Sequence, residues 1–237
     1  MGRRVFVVGV GMTKFTKPGE NKLLDYPAMA EEAVRAALRD SGLNYDAIQQ
    51  AACGYVYGDS TCGQKALYPI GMTGIPIVNV NNNCSTGATA LWLMKQAIEG
   101  SQADCTLAVG FEKMEKGSLS AKFKDRINPM NEHIGHFYEM RGLQAAPVTA
   151  QLFGAAGLEH MELYGTNEHH FAKIAVKNRR HSVNNPYSQY QEEMSLQQVL
   201  DAPKVCILFP ANLLLDWMLL LFMVVSSPSL LLLDPKC

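Results

Sequence analysis

The stretch Asn79–Gly100, NVNNNCSTGATALWLMKQAIEG, sets a cysteine between a run of asparagines and an apolar helical pattern. Strand-like IPIVNVN (Ile75–Asn81) precedes it, and a helix is predicted from Ser85 or Thr86 to about Glu99. Cys84 then falls at a helix N-terminus, where free amide N–H groups and the positive end of the dipole favour a thiolate. The same amides suit an oxyanion, and Ser85, Thr86, Gly87 and Ala88 are small enough for close approach. This is a strand–nucleophile–helix elbow, for which acyl transfer to sulfur is the natural reaction. The competing reading is a packed core cysteine beside an asparagine turn. Local pattern alone favours it slightly, because a nucleophile needs a base and no histidine is near in sequence.

The surrounding segments alternate between strand and helix. RVFVVGVG, ending at Gly11, is a buried first strand, and Asp25–Gly42 is a helix with Asp25 as cap, Pro27 in the first turn and Gly42 as stop. Ala51–Gly58 and Asp104–Met114 are further strands. Such alternation predicts an α/β fold with a mostly parallel sheet. Gly9-x-Gly11 is no dinucleotide fingerprint, because its third glycine position is Lys14 and no helix follows. From residue 115 the texture turns polar, basic and aromatic, with helices predicted over 147–164 and 167–181. From residue 205 it turns leucine-rich, with eleven leucines and three charges in 33 residues and no structural period.

The 237 residues carry 21 Lys+Arg against 22 Asp+Glu, a balance that gives no electrostatic reason to bind nucleic acid. The six cysteines include no CxxC pair and form neither a disulfide framework nor a zinc site, so a reducing compartment is the simplest setting. His133-x-x-His136 lacks a third metal ligand in the pattern, and no metal is expected. Lys173, Lys177, Arg179 and Arg180 suit coenzyme A phosphates or, equally, a solvated helix face. The window 205–225 is long enough to span a bilayer, but Asp216 near its middle, Pro210 and Asn212 make insertion marginal.

Several of these segments resemble one family. NVNNNCSTGATAL resembles the nucleophile segment of the thiolase superfamily, and AVGFEKM (Ala108–Met114) resembles the strand that follows it there. VFVVGVGMTKF (Val5–Phe15) and the segment Gly154–Tyr190 are similar to the opening strand and the loop domain of the sterol-carrier-protein-x type within that superfamily. The resemblance implies a thiolase-like βαβαβ N-terminal sheet domain over 1–114, a helical loop domain over 115–204, and a divergent tail over 205–237. It implies a 3-oxoacyl-CoA thiolase of peroxisomal branched-chain and sterol side-chain metabolism, with Cys84 as the acylated nucleophile. Coenzyme A is the co-substrate, and no cofactor is held permanently. Partners are acyl-CoA or CoA, and a second subunit in a homodimer or in a heterodimer with full-length thiolase subunits.

The family's Gly-His-Pro and Cys-Gly-Gly segments, which supply the base and the second cysteine, have no match here. The second thiolase domain is therefore expected to be missing, as in a truncated or alternatively spliced form, and little turnover is expected from this chain alone. The alternative is a catalytically incomplete fragment that binds CoA or lipid, or pairs with full-length subunits. The ending DPKC matches no Ser-Lys-Leu address, so the chain is expected in the cytoplasm unless a partner carries it into the peroxisome. On this reading iodoacetamide at mildly acidic pH labels Cys84 ahead of Cys53, Cys62 and Cys105, as peptide mapping would show. Cutting after Lys204 is expected to raise soluble yield, because an apolar tail without period leaves an exposed patch.

Overall fold

The computed structural model describes residues 3–20, 22–115, 118, 123–206, 209–210 and 229–233. The chain forms two compact units, Met1–Lys116 together with Leu221–Cys237, and Gly117–Leu220.

The first unit is built on a five-stranded sheet. Its strands are β1 (Phe6–Gly11), β2 (Gln50–Gly54), β3 (Ile77–Val80), β4 (Cys105–Gly110) and a fifth from the tail, Ser229–Leu233. The spatial order is β1, tail strand, β4, β2, β3. β2 runs parallel to β3 and to β4, and the tail strand is antiparallel to both β1 and β4. The sheet is thus mixed: β1, β2, β3 and β4 run the same way, as the alternation of elements predicts, and the tail strand runs against them.

Helices cover both faces. α1 (Tyr26–Ser41) and α2 (Cys62–Leu67) pack on one side, where Ala30, Val34, Ala37, Ala66 and Leu67 meet Cys53, Leu107 and Val109. α3 (Thr86–Glu99) packs on the other, where Ala90, Met94, Ala97 and Ile98 meet Ala52, Ala108 and Leu232. The strand residues therefore alternate between layers, Leu107 and Val109 to one and Ala108 to the other. Alanine at 52 and 108 lets α3 sit close to the sheet.

α1 follows its sequence signals closely. The Asp25 side chain accepts from the Tyr26 amide at 2.8 Å, Pro27 lies in the first turn, and Gly42 ends the helix at φ 71°. Gly9 and Gly11 bring β1 directly against it, since a Cβ at Gly9 would strike the Ala37 carbonyl oxygen. The outer edge of β1 is partly closed by Asp40, whose carboxylate accepts from the Val10 amide at 2.9 Å. At the opposite edge, Gln64 Nε2 donates to the Ile77 carbonyl of β3 at 3.2 Å. Both contacts blunt strand edges that would otherwise offer unpaired groups.

β2 is shorter than the predicted Ala51–Gly58. Beyond Gly54 the Glu112 carboxylate takes the amides of Val56 and Tyr57, at 2.8 and 3.2 Å, and ends the ladder. α2 was hidden in the sequence by its six-residue length and by its N-cap Thr61, which is left-handed at φ 66°.

The tail requires a correction. The expectation that residues 205–237 lack any structural period fails for Ser229–Leu233, which is an interior strand of the sheet. Leu232 is buried toward α3 and Leu233 packs toward α1, a period of two within a run of identical residues. Cutting after Lys204 would remove that strand, so the reason for expecting higher soluble yield does not hold. Most of the candidate membrane window, 205–225, lies outside the described residues. Among the described residues no helix is long and apolar enough to cross a membrane.

The second unit contains α4 (Asn131–Arg141), α5 (Val148–Tyr164), α6 (Glu168–Ser182) and α7 (Leu196–Leu200), with a two-stranded pair of β5 (Lys204–Cys206) and β6 (Phe209–Pro210). Its core gathers Ala150, Phe171, Ala172, Ala175 and Val199. Ser195 and Gln198 cap α7 reciprocally, amide to side chain in both directions at 2.8 and 3.2 Å. Arg141 grips Glu162 with two 2.8 Å bonds that tie α4 to α5.

Gly9→Ala should lower stability by about 1–3 kcal/mol, because the added methyl meets backbone that cannot yield. Urea denaturation would show a lower midpoint with an unchanged slope, whereas Gly42→Asn, which keeps a residue tolerant of the left-handed conformation, should shift it less.

Candidate active site

Cys84 lies in the turn between β3 and α3, and each asparagine before it has a separate task. Asn81 Oδ1 accepts from the Asn83 amide at 3.2 Å, an Asx turn. Asn82 Nδ2 reaches the Thr89 hydroxyl at 2.9 Å and so stitches the turn to the second turn of the helix. Asn83 takes the left-handed conformation, φ 48°, which asparagine tolerates better than most side chains.

The wholly buried Thr86 completes the arrangement. Its hydroxyl accepts from the Asn82 amide at 2.9 Å and donates to the Asn83 carbonyl. Gly54 at the end of β2 makes room for it, since a Cβ there would lie 2.7 Å from Thr86 Cγ2.

This geometry corrects the electrostatic expectation. The helix starts at Thr86, and the amides of Ser85 and Thr86 turn to the carbonyls of Asn82 and Asn83, at 3.2 and 3.1 Å, not to the sulfur. Burial of the half-exposed Cys84 thiol pushes its pKa above the ordinary cysteine value, and a bond to its own backbone offsets this only in part. Burial thus works against the thiolate form of Cys84. Cys84 is still more accessible than Cys53, Cys62 and Cys105, which are buried, and burial pushes Cys53 up to about 12.

A cavity of about 350 Å³ opens beyond the C-terminal ends of β2 and β4, lined among others by Tyr26, Tyr57, Cys62, Lys65, Glu112 and Lys113. Cys84 is not in its lining. Burial raises the pKa of Tyr57 first, and the neighbouring Glu112 carboxylate adds to it. Tyr26, Phe111 and Tyr55 stack in succession with centroids 5.2 Å apart. The Tyr26 hydroxyl bonds to Cys62, which together with burial pushes Tyr26 up to about 12. Sequence reasoning missed Tyr57 and Glu112; the spacing between residues 57 and 112 carries no local signal that they meet.

The basic residues stand in the second unit, on α6. Lys173, Lys177 and Arg180 are exposed and spaced by four and three residues, one stripe of the helix. Arg179 is set apart from them: it is buried, and its guanidinium lies over the Tyr190 ring, 4.3 Å from the centroid. His133 and His136 are both exposed on α4, His136 within 3.4 Å of Glu139. Among the described residues no three His, Cys, Asp or Glu side chains are grouped to hold a metal ion.

Residues 5–205 match the family described as thiolase, N-terminal domain. The chain belongs to the thiolase family. It is 62% identical over 200 residues to sterol carrier protein 2 of Oryctolagus cuniculus, covering 84% of this chain and 37% of that protein. It is 52% identical over 205 residues to non-specific lipid-transfer protein-like 2 of Caenorhabditis elegans, covering 85% of this chain and 50% of that one. The chain thus spans half or less of the length of these relatives. The crystal structure of human mitochondrial 3-ketoacyl-CoA thiolase in complex with CoA matches 99% of this chain and 65% of its own, with a TM-score of 0.66 at 15% identity. That likeness establishes the thiolase fold.

Two outcomes follow from the turn. Asn83→Ala should cost about 1–2 kcal/mol, the strain of a left-handed alanine, while Asn83→Gly should leave the urea midpoint nearly unchanged. Alkylation of Cys84 should be slow at pH 7 and accelerate only above the ordinary cysteine range, because a raised pKa keeps the thiol protonated below it. Peptide mapping of iodoacetamide-treated protein across pH 6–10 would show both the order and the pH dependence.

Proposed function

We propose that this chain supplies the nucleophile-bearing part of a thiolase-type acyl-CoA C-acyltransferase, with Cys84 as the acyl acceptor and a 3-oxoacyl-CoA as substrate. The observation that carries this reading is the position of Cys84. It is the accessible cysteine at the strand-to-helix turn of a thiolase-family sheet, held there by Asn81, Asn82, Asn83 and Thr86.

In the forward direction the Cys84 sulfur forms a bond to the 3-oxo carbon, and the bond between carbons 2 and 3 breaks. The electron pair leaves on the acetyl-CoA fragment, which takes up a proton. The thiol of a second coenzyme A then accepts the acyl group and frees the sulfur. Cys84 must lose its proton before it attacks, and its raised pKa makes that step depend on a base. All six histidines lie between 133 and 181, within the second unit, so the unit that holds Cys84 contains none. An imidazole base for this sulfur comes from outside the first unit. Without one, the reaction loses about 10²–10⁴ in rate.

That same observation favours a second reading: a catalytically incomplete thiolase part that binds CoA or lipid, or pairs with full-length subunits, without turnover. The exposed stripe of Lys173, Lys177 and Arg180 would supply phosphate contacts in either case.

Intact-protein mass measurement after incubation with a 3-oxoacyl-CoA at pH 9 separates the readings. An acyl adduct that maps to Cys84 and disappears in Cys84→Ala supports acyl transfer. CoA binding by calorimetry with no adduct, weakened several-fold in Lys173→Glu with Lys177→Glu, supports the second reading. An adduct that persists in Cys84→Ala would remove Cys84 from the proposal.

A further inference from the structure

Four asparagines lie between Ile77 and Cys84, and three of them commit their side chains to the fold. Asn79 binds Gly63 and Gln64 of α2, both at 2.8 Å. Asn81 takes the Asn83 amide, and Asn82 reaches Thr89. Asn83 differs. Its backbone amide is engaged by Asn81 Oδ1, and its backbone carbonyl by the amide and hydroxyl of Thr86. Its side-chain Oδ1 instead accepts from Cys84 Sγ at 3.9 Å, and that side chain makes no other hydrogen bond among the described residues.

The backbone alone does not account for an asparagine at this position. At φ 48° a glycine would sit with less strain. What asparagine adds is a carboxamide beside the sulfur. A thiol is a weak donor, so the contact sets the direction of the S–H bond more than it stabilises the turn. A hydrogen bond to the neutral form of an acid also disfavours its charged form. The shift at Cys84 has the same sign: burial raises it, its own backbone offsets this in part, and no charged side chain among the described residues adds to it. Tyr57 is the titratable side chain in electrostatic reach, and burial raises its phenol too, so it stays neutral below the ordinary tyrosine range.

We propose that Asn83 is a positioning residue for Cys84: its side-chain carbonyl accepts from the thiol, fixes the direction of the S–H bond and holds the sulfur un-ionised until a base removes the proton. At that step the S–H bond breaks, its electron pair stays on sulfur, and the proton leaves Asn83 Oδ1 for the base. The bearing of this contact on acyl transfer rests on the function proposed above, but the hydrogen bond itself does not.

Iodoacetamide labelling of Cys84 in the full chain across pH 6–10, read by peptide mapping, tests this without any acyl-CoA. Asn83→Gly keeps the left-handed turn and removes the acceptor, so the pH midpoint of labelling should fall by roughly half a pH unit. Asn83→Asp keeps an acceptor and adds a charge that opposes the thiolate, so its midpoint should rise by at least as much. Thr89→Val loosens Asn82 and leaves Asn83 in place, and its midpoint should stay where it is. An unchanged midpoint in Asn83→Gly would overturn the proposal. A midpoint that rises there would show the carboxamide N–H serving the thiolate, and would overturn it too. Midpoints that fall in both Asn83 variants, or as far in Thr89→Val, would show a loosened turn and no role for the carbonyl. If the midpoints move as stated while no 3-oxoacyl adduct forms on Cys84, the hydrogen bond stands and the acyl-transfer reading falls. If the adduct forms and the midpoints do not move, the reverse holds.

Discussion

The buried hydroxyl of Thr86 is the point on which the turn, the sheet and the first helical residue of α3 depend together. It accepts from one asparagine and donates to the next, so the backbone from Asn82 to Thr86 is tied back on itself. The group has no access to water, and leaving it unpaired would cost about 1–3 kcal/mol. Gly54 supports it from below: without a side chain there, the end of β2 can approach α3 closely. Cys84 is carried by this knot. Its position is therefore a property of the sheet as well as of its own turn.

The same knot determines what the sulfur can do. The amides nearest to it are committed to carbonyls of the turn, and burial pushes the thiol's pKa up. On the function proposed above, position and activation are thus separate: the sheet and its turn supply the first, and a base from outside the first unit supplies the second.

Elements whose causes are local were legible in the sequence. α1 reads from Asp25 to Gly42 because a cap, a first-turn proline and a left-handed glycine each act within a few residues. β4 and α3 read from apolar runs of the right length and period. Features with distant causes were not legible. The end of β2 depends on Glu112, more than fifty residues away, and Arg179 leaves its basic neighbours because Tyr190 receives it. Cys84 was placed correctly at the turn, but the commitment of the Ser85 and Thr86 amides to carbonyls of the turn cannot be seen from composition. The strand at Ser229–Leu233 was missed for another reason. A run of one residue type has no period of its own, and the alternation appears only once β1 and β4 impose it from either side.

The segregation of the histidines gives the molecule two independent sets of natural reporters. Imidazole rings are the side chains whose ordinary titration falls between pH 5 and 8, and here they belong to the second unit alone. Five of the six cysteines belong to the first unit, and Cys206 alone to the second. In a nuclear magnetic resonance spectrum the imidazole ring protons would report on the second unit, while labelling mapped to Cys53, Cys62, Cys84 and Cys105 follows the first, without an introduced label. A change that reaches both sets at once would have to pass between the units.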